Sequence, residues 1–242
     1  MTYKKSIARH TAEKEFIEVK NRIRLSQSKA IQPAVREYVV AAAVFLAHST
    51  LENYISDLFS GIAKAFHSSL TEGKQLPEFV KSHLFIENLN KAKIYSFGIS
   101  AIGEQEMLSA ISESLRGRAG SLLDSNRQKY AFTGKDLYTN HKYPSEKNLK
   151  KIFQRIGINN FFQEINAILK RDSLSLLESL GSLRTSLAHT GQLTGISPSD
   201  VIEKISDIGK LIGAIDRRTY KLIASTYGRD CWYSNVALAT TP

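Results

Sequence analysis

Apolar residues recur at helical spacing along most of the chain, and alternation with a period of two is rare. They are sparse over 5–28, which predicts a solvated helix with a narrow buried stripe. A longer helix is expected from about 34 to 68, because Pro33 suits a first helical turn. Over 38–47 this helix is apolar nearly all round, which favours a central position. The pattern predicts an all-α fold.

The helical pattern continues after residue 77, weakly at first, and from Pro144 on it has clear start and stop signals, such as Pro-Ser before a helix and Gly after it. Helices are expected over 78–95, 104–116, 146–157, 159–171, 173–189 and 198–225. The stretch 117–143 has three glycines and few periodic apolar residues, which predicts an irregular insertion. We therefore expect one helical-bundle domain over 33–226 that contains this insertion, with a basic helix over 1–32 before it and a tail over 227–242 after it.

The charge balance indicates what kind of partner the protein binds. Lys and Arg number 33 and Asp and Glu 23, so the net charge is 33 − 23 = +10. This excess favours an anionic partner, with nucleic acid ahead of an anionic membrane surface. The longest apolar run is too short to span a bilayer, and the first ten residues lack the apolar core of a signal peptide. A single cysteine, Cys231, excludes an intrachain disulfide and fits a cytoplasmic protein.

The stretch SLRTSLAHTG contains the strongest chemical candidates, Arg184 and His189, near a predicted helix end. Histidine can act as acid or base near neutral pH, and the arginine fork binds phosphate oxygens. RNA carries its own nucleophile, the 2′-hydroxyl, so this pair needs no metal. A structural alternative stays open, because a histidine stabilises a helix C-terminus and an arginine often buries its stem beside an apolar stripe.

Two further segments lead from this motif to a family. FLAHSTLENYISDLF at 45–59 and PSEKNLKKIFQRIGI at 144–158 occur in the expected order before the R-x4-H helix. Together the three resemble the HEPN superfamily of helical ribonucleases, in particular its RiboL-PSP branch, over roughly 35–225. The resemblance implies a HEPN-like helical domain and a metal-independent endoribonuclease that acts as a toxin or antiviral effector, with no cofactor. It also implies RNA as substrate, a possible antitoxin or regulatory protein, and a homodimer in which two motifs face one cleft.

Within this resemblance, Arg184 and His189 become the catalytic pair. In many active members the residue after the arginine is Asn, Asp or His, whereas here it is Thr185, a substrate-binding candidate that keeps only a hydroxyl. Five residues of ideal helix also rotate by about 140°. One helix face is expected to be a buried leucine stripe, formed by Leu176, Leu180, Leu183 and Leu187. Arg184 then lies at its edge and His189 well round the other side, so the pair converges only if the helix loosens before Gly191 or a second subunit completes the site.

His48 and Glu52 are four residues apart on one face of the predicted long helix. In one interpretation Glu52 orients the arginine or sets the protonation of the histidine, and His48 contacts substrate. In the other, the two form an internal link that only fixes helix packing. Both interpretations stay open.

The predicted insertion mixes basic and aromatic residues, a combination that suits unpaired RNA. Its members are Arg127, Lys129, Lys135 and Lys142 among Tyr130, Phe132, Tyr138 and Tyr143, and we take Arg127, Lys129 and Lys142 as substrate-binding candidates. The alternative is a loop that packs its aromatic rings on the domain. No histidine or cysteine spacing typical of a metal site occurs, and neither does a Gly-rich phosphate loop.

Three functions are consistent with these observations. The first is the endoribonuclease. The second is a non-catalytic HEPN-type module that binds RNA or a protein, which the threonine and the helical geometry favour. The third is a helical adaptor whose basic surface is incidental.

Overall fold

In a computed structural model, the described residues are 2–84, 132–139, 141, 143–191, 195–233 and 235–238. They form α1 (Ile7–Ser26), α2 (Pro33–Ser69), a 3-10 turn (Gly73–Gln75), α3 (Gly134–Tyr138), α4 (Glu146–Gln154), α5 (Phe161–Leu169), α6 (Ser173–Thr190), α7 (Pro198–Thr226) and α8 (Asp230–Tyr233). Residues 78–84 are also helical. Over these ranges there is no strand, and an isolated bridge joins Ser6 to Ala237. The all-α prediction is confirmed.

Helix α2 is the centre of the bundle, and α1, α3, α6, α7 and α8 all pack against it. Its length and composition alone would let it cross a membrane. Fifteen of its residues are nevertheless buried against the other helices, among them Leu51, Ile55 and Phe59 at 0% exposure. A helix covered by its neighbours in this way is also typical of a globular core.

Helices α6 and α7 begin and end where local chemistry dictates. The Asp172 side chain caps the start of α6, and Gly191 ends it in the left-handed region at φ 69°, with its N–H bonded to the Leu187 carbonyl. Pro198 opens α7 behind a capping box. The predicted leucine stripe of α6 is buried, since none of its four members exceeds 9% exposure. This places the R-x4-H motif on a well-defined helix.

The two ends of the chain are joined to the bundle and to each other. Helix α1 buries its predicted stripe, including Phe16, Val19 and Ile23, against α2 and α7. The Trp232 ring is fully buried, and its Nε1 donates to the Lys4 carbonyl at 3.0 Å. The ends thus contribute to the same core as the helices between them.

The described end of the predicted insertion is a short helix, α3, on the surface of α2. A Cβ at Gly134 would lie 2.5 Å from the Ser60 Cα, so only glycine allows this contact. Leu137 is fully buried beneath it. The helix expected over 104–116 and residues 117–131 lie outside the described residues.

Candidate active site

Arg184 lies on α6 at the edge of the leucine stripe and is half-buried. Its guanidinium carbon is 5.5 Å from the centroid of the Tyr143 ring. This is a cation–π contact, which holds the arginine while leaving its donor groups free of a carboxylate partner among the described residues. Arg184 therefore keeps the hydrogen-bonding capacity that a phosphate would use.

Tyr143 is held between two helices by the turn that starts α4. Its carbonyl accepts hydrogen bonds from the Ser145 N–H and the Asn148 Nδ2, each at 2.9 Å. The ring packs on His48 with centroids 5.0 Å apart, while 40% of the residue stays exposed. One ring thus contacts both Arg184 of α6 and His48 of α2.

His48 is buried at 4% exposure, and its Nδ1 is 3.2 Å from Glu52 Oε1. Burial and the nearby positive charge of Arg184 lower the pKa of His48 to about 4. The imidazole is therefore neutral at pH 7, and the contact with Glu52 is not an ion pair. The predicted shared face of His48 and Glu52 is confirmed, and Tyr143 connects this face to Arg184.

His48 and Tyr143 border an open cleft of about 700 Å³, beside Arg184. Its lining includes His48, Tyr143, Ser145, Lys147, Ser182 and Thr185. Thr185 and Lys147 are exposed, so a hydroxyl and an ammonium group face the space next to Arg184. Glu146 and Glu178 also line the cleft, and Glu146 is paired with Lys150. The cleft combines hydrogen-bond donors with an aromatic wall, which suits a nucleotide.

His189 lies apart from this group. It is exposed in the last turn of α6, and no hydrogen bond or ion pair joins its ring to another residue in the described part of the chain. The helix stays regular through Thr190, so the loosening before Gly191 that would bring His189 towards Arg184 is not observed. Within one chain, the two members of the motif point in different directions.

The basic–aromatic segment divides into three groups. Arg127, Lys129 and Lys142 lie outside the described residues. Phe132 is buried and Tyr138 packs against the core, as the packing alternative expects. Tyr143 alone of the described aromatic residues of this segment borders the cleft.

Sequence reasoning did not single out Tyr143 for this position, and it missed Lys147. One feature of the sequence could have pointed to Tyr143: it directly precedes the Pro-Ser start of a helix, where the turn fixes its position. Across the described ranges, no group of three or more His, Cys, Asp or Glu side chains is arranged to hold a metal ion.

The family model described as RiboL-PSP-HEPN matches residues 9–221 of the chain, or 221 − 9 + 1 = 213 residues. The match includes most of α1, all of α2 to α6, most of α7 and all three segments that carried the resemblance. No curated protein and no solved structure shows a significant match.

Proposed function

Because the chain belongs to the RiboL-PSP-HEPN family, one of the HEPN families that generally include ribonucleases, we propose that it is a metal-independent endoribonuclease. The observation that carries this proposal is the position of Arg184. It lies in the region that the family model matches, against the Tyr143 ring that borders the cleft, with no carboxylate partner among the described residues.

The proposed reaction uses the RNA 2′-hydroxyl as nucleophile. A base removes its proton, the oxygen attacks phosphorus, and the bond to the 5′-oxygen breaks as an acid protonates that leaving group. The products end in a 2′,3′-cyclic phosphate and a 5′-hydroxyl. His189 serves as the acid or base and Arg184 binds the phosphate oxygens, where stabilisation of the transition state contributes on the order of 10²–10³ in rate.

The neighbouring residues have supporting roles. Thr185 and Lys147 line the cleft beside Arg184 and contact the substrate backbone. Tyr143 and His48 position the arginine. Glu52 acts through His48, since its carboxylate lies 3.2 Å from the imidazole.

A dimer completes this site. Because α6 is regular through Thr190, Arg184 and His189 of one chain remain about 140° apart around the helix axis. His189 of a second copy would then work with Arg184 of the first. Phe45 and Leu46 support this arrangement, since they are 41% and 42% exposed on α2 just before His48. Apolar side chains of this size beside a site are typical of a subunit interface.

The test uses the purified full chain, an unstructured RNA oligomer and excess EDTA. We expect cleavage with 2′,3′-cyclic phosphate ends, and a loss of about 100-fold or more in His189→Ala. His10→Ala is the matched control, because His10 lies on α1 outside the cleft, and it should cleave as the wild type does. Cleavage that survives His189→Ala unchanged would contradict the proposal.

The cellular role we propose is that of a cytoplasmic toxin or antiviral effector whose activity a partner protein restrains. Restraint by a partner fits such a nuclease, since RNA is present throughout the cytoplasm. Induced expression should arrest growth, and His189→Ala should relieve the arrest.

The second candidate is a non-catalytic HEPN module that binds RNA or a partner protein. Thr185, which stands where many active relatives carry Asn, Asp or His, favours it. This candidate predicts salt-sensitive RNA binding without cleavage, and growth that is the same with and without His189→Ala.

A further inference from the structure

A second cleft, of about 890 Å³, lies at the end of α6 that carries His189. It is formed by the α1–α2 turn, the first turns of α2 and the start of α7. The residues that line it include Gln27, Arg36, Glu37, Tyr38, Gly191 and Ile196. Nothing in the motif itself predicts this cleft.

The cleft begins where the catalytic helix stops. Gly191, which lines it, follows His189 by two residues, and two residues of chain span at most about 7 Å. A phosphate held at His189 therefore places the next nucleotide of the strand within reach of the cleft.

Tyr38 gives the cleft an aromatic surface. It is 75% exposed, the most exposed large apolar side chain in the described part of the chain, although it lies on the central helix. Ala41 and Ile196 line the cleft beside it. Unpaired bases stack on such rings, and the stacking is worth about 1–3 kcal/mol per base.

Arg36 is the basic member of the lining, at the end of a basic segment. Residues 20–36 contain five Lys or Arg and no Asp or Glu. The Nε of Arg36 donates to the Ile31 carbonyl at 2.8 Å, which fixes the guanidinium. Its two terminal nitrogens have no ion-pair partner within the described ranges. A fixed guanidinium with free donors matches a phosphate group.

Glu37 is the acidic member of the lining. A carboxylate repels a phosphate but accepts hydrogen bonds from the amino groups of bases. These charges therefore favour one orientation of a bound nucleotide, with its phosphate towards Arg36 and its base between Tyr38 and Glu37.

We infer that this cleft binds an unpaired RNA nucleotide adjacent to the scissile phosphate. The inference rests on the proposed endoribonuclease function for the position of that phosphate. In the proposed dimer the RNA strand then runs from Arg184 of one chain, past His189 of the partner subunit, into the second cleft of that partner, so that the enzyme selects single-stranded RNA.

The experiment measures binding apart from cleavage. In the His189→Ala background, the affinity of the full chain for a fluorescently labelled unstructured RNA oligomer is measured by anisotropy. Tyr38→Ala should weaken binding about tenfold and Tyr38→Phe should leave it unchanged, because the ring is what stacks. Phe79→Ala, which removes an exposed aromatic ring outside this cleft, is the matched control. Arg36→Gln should reduce the slope of log affinity against log salt concentration by about 0.7, the contribution of one phosphate contact on a single strand.

Three results would overturn the inference. The first is unchanged RNA affinity in Tyr38→Ala, and the second is no RNA binding by the parent protein. The third is a Tyr38→Ala variant that sediments as a monomer while its RNA affinity is unchanged, which would place Tyr38 in the dimer interface. The outcome is separate from that of the proposed function. If RNA binding depends on Tyr38 but the wild type does not cleave RNA, the RNA-binding role of the cleft is supported and the proposed nuclease activity is contradicted. Cleavage with unchanged binding in Tyr38→Ala would do the reverse.

Discussion

Two clusters in this protein contain the same kinds of side chain, a carboxylate, an aromatic ring and an arginine, yet they are built differently. In the first cluster Asp216 on α7 is completely buried and accepts hydrogen bonds from the Ser6 N–H at 3.1 Å, the Ser6 hydroxyl and the Tyr3 hydroxyl. Arg9 in turn donates to the Tyr3 oxygen at 2.9 Å. Every member has a partner within the protein.

The second cluster has Glu52, His48, Tyr143 and Arg184. It is closed on the α2 side, where His48 is buried, and open on the cleft side, where Tyr143 is 40% exposed. The same residue types therefore have a structural role in one cluster and donors available for a ligand in the other, depending on how they are enclosed. A cluster around a buried carboxylate, whose members all have partners, fixes structure, whereas an open one leaves donors for a ligand.

The largest effect should come from breaking the enclosed cluster. Asp216→Ala leaves Ser6 and Tyr3 without their buried acceptor, and we expect a loss on the order of 3–5 kcal/mol in unfolding free energy. Urea denaturation measures it. Glu18→Ala, which breaks only an exposed pair with Arg22, is the control and should change little. Equal losses in the two variants would remove the distinction between the clusters.

Breaking the open cluster should affect activity instead of stability. Arg184→Ala should reduce RNA cleavage about 100-fold, because it removes the phosphate-binding fork. Its unfolding free energy should change by less than about 1 kcal/mol, since only a half-buried cation–π contact is lost. Arg184→Lys should recover little activity, because an ammonium group lacks the fork. If Arg184→Ala loses as much unfolding free energy as Asp216→Ala, the role of Arg184 is structural and this assignment is contradicted.

The closed side of the open cluster should appear in the pH dependence of stability. The pKa of His48 is about 4 when folded, below the ordinary value of about 6.5, so the unfolded chain binds the proton first as the pH falls. The stabilisation by neutral His48 is thus complete above pH 6.5 and is lost between there and pH 4. We expect a loss of about 2 kcal/mol from pH 6.5 to 5, measured by denaturation. In His48→Gln this part of the slope should vanish, and a slope that persists would contradict the assignment.

The smallest of these effects concerns Tyr143 as a positioning residue. Tyr143→Ala should lower kcat about fivefold, since a cation–π contact of roughly 1 kcal/mol no longer holds Arg184. Tyr143→Phe keeps the ring and should rescue the rate. An NMR titration provides a readout beyond activity, because removal of the ring should raise the pKa of His48 towards its ordinary value. An unmoved His48 pKa would show that Tyr143 does not cover it.

The sequence predicted those parts of this picture that depend on local periodicity. The leucine stripe of α6, its end at Gly191 and the shared face of His48 and Glu52 follow from spacings of three and four residues. The contact of Tyr143 with residues 95 positions before it and 41 after it depends on how α4 packs, which no spacing reveals. The neutral state of His48 depends on its burial by this packing, so the sequence could not predict it either.

The most direct test of the central claim, that one site takes its arginine and its histidine from different chains, is a mixing experiment. Arg184→Ala and His189→Ala are each inactive alone in this account, and they are unfolded and refolded together. Half of the dimers are then mixed and one of their two sites is intact, so about a quarter of the wild-type cleavage activity should return. If both residues act within one chain, the mixture will stay as inactive as either variant alone, and the composite site is contradicted.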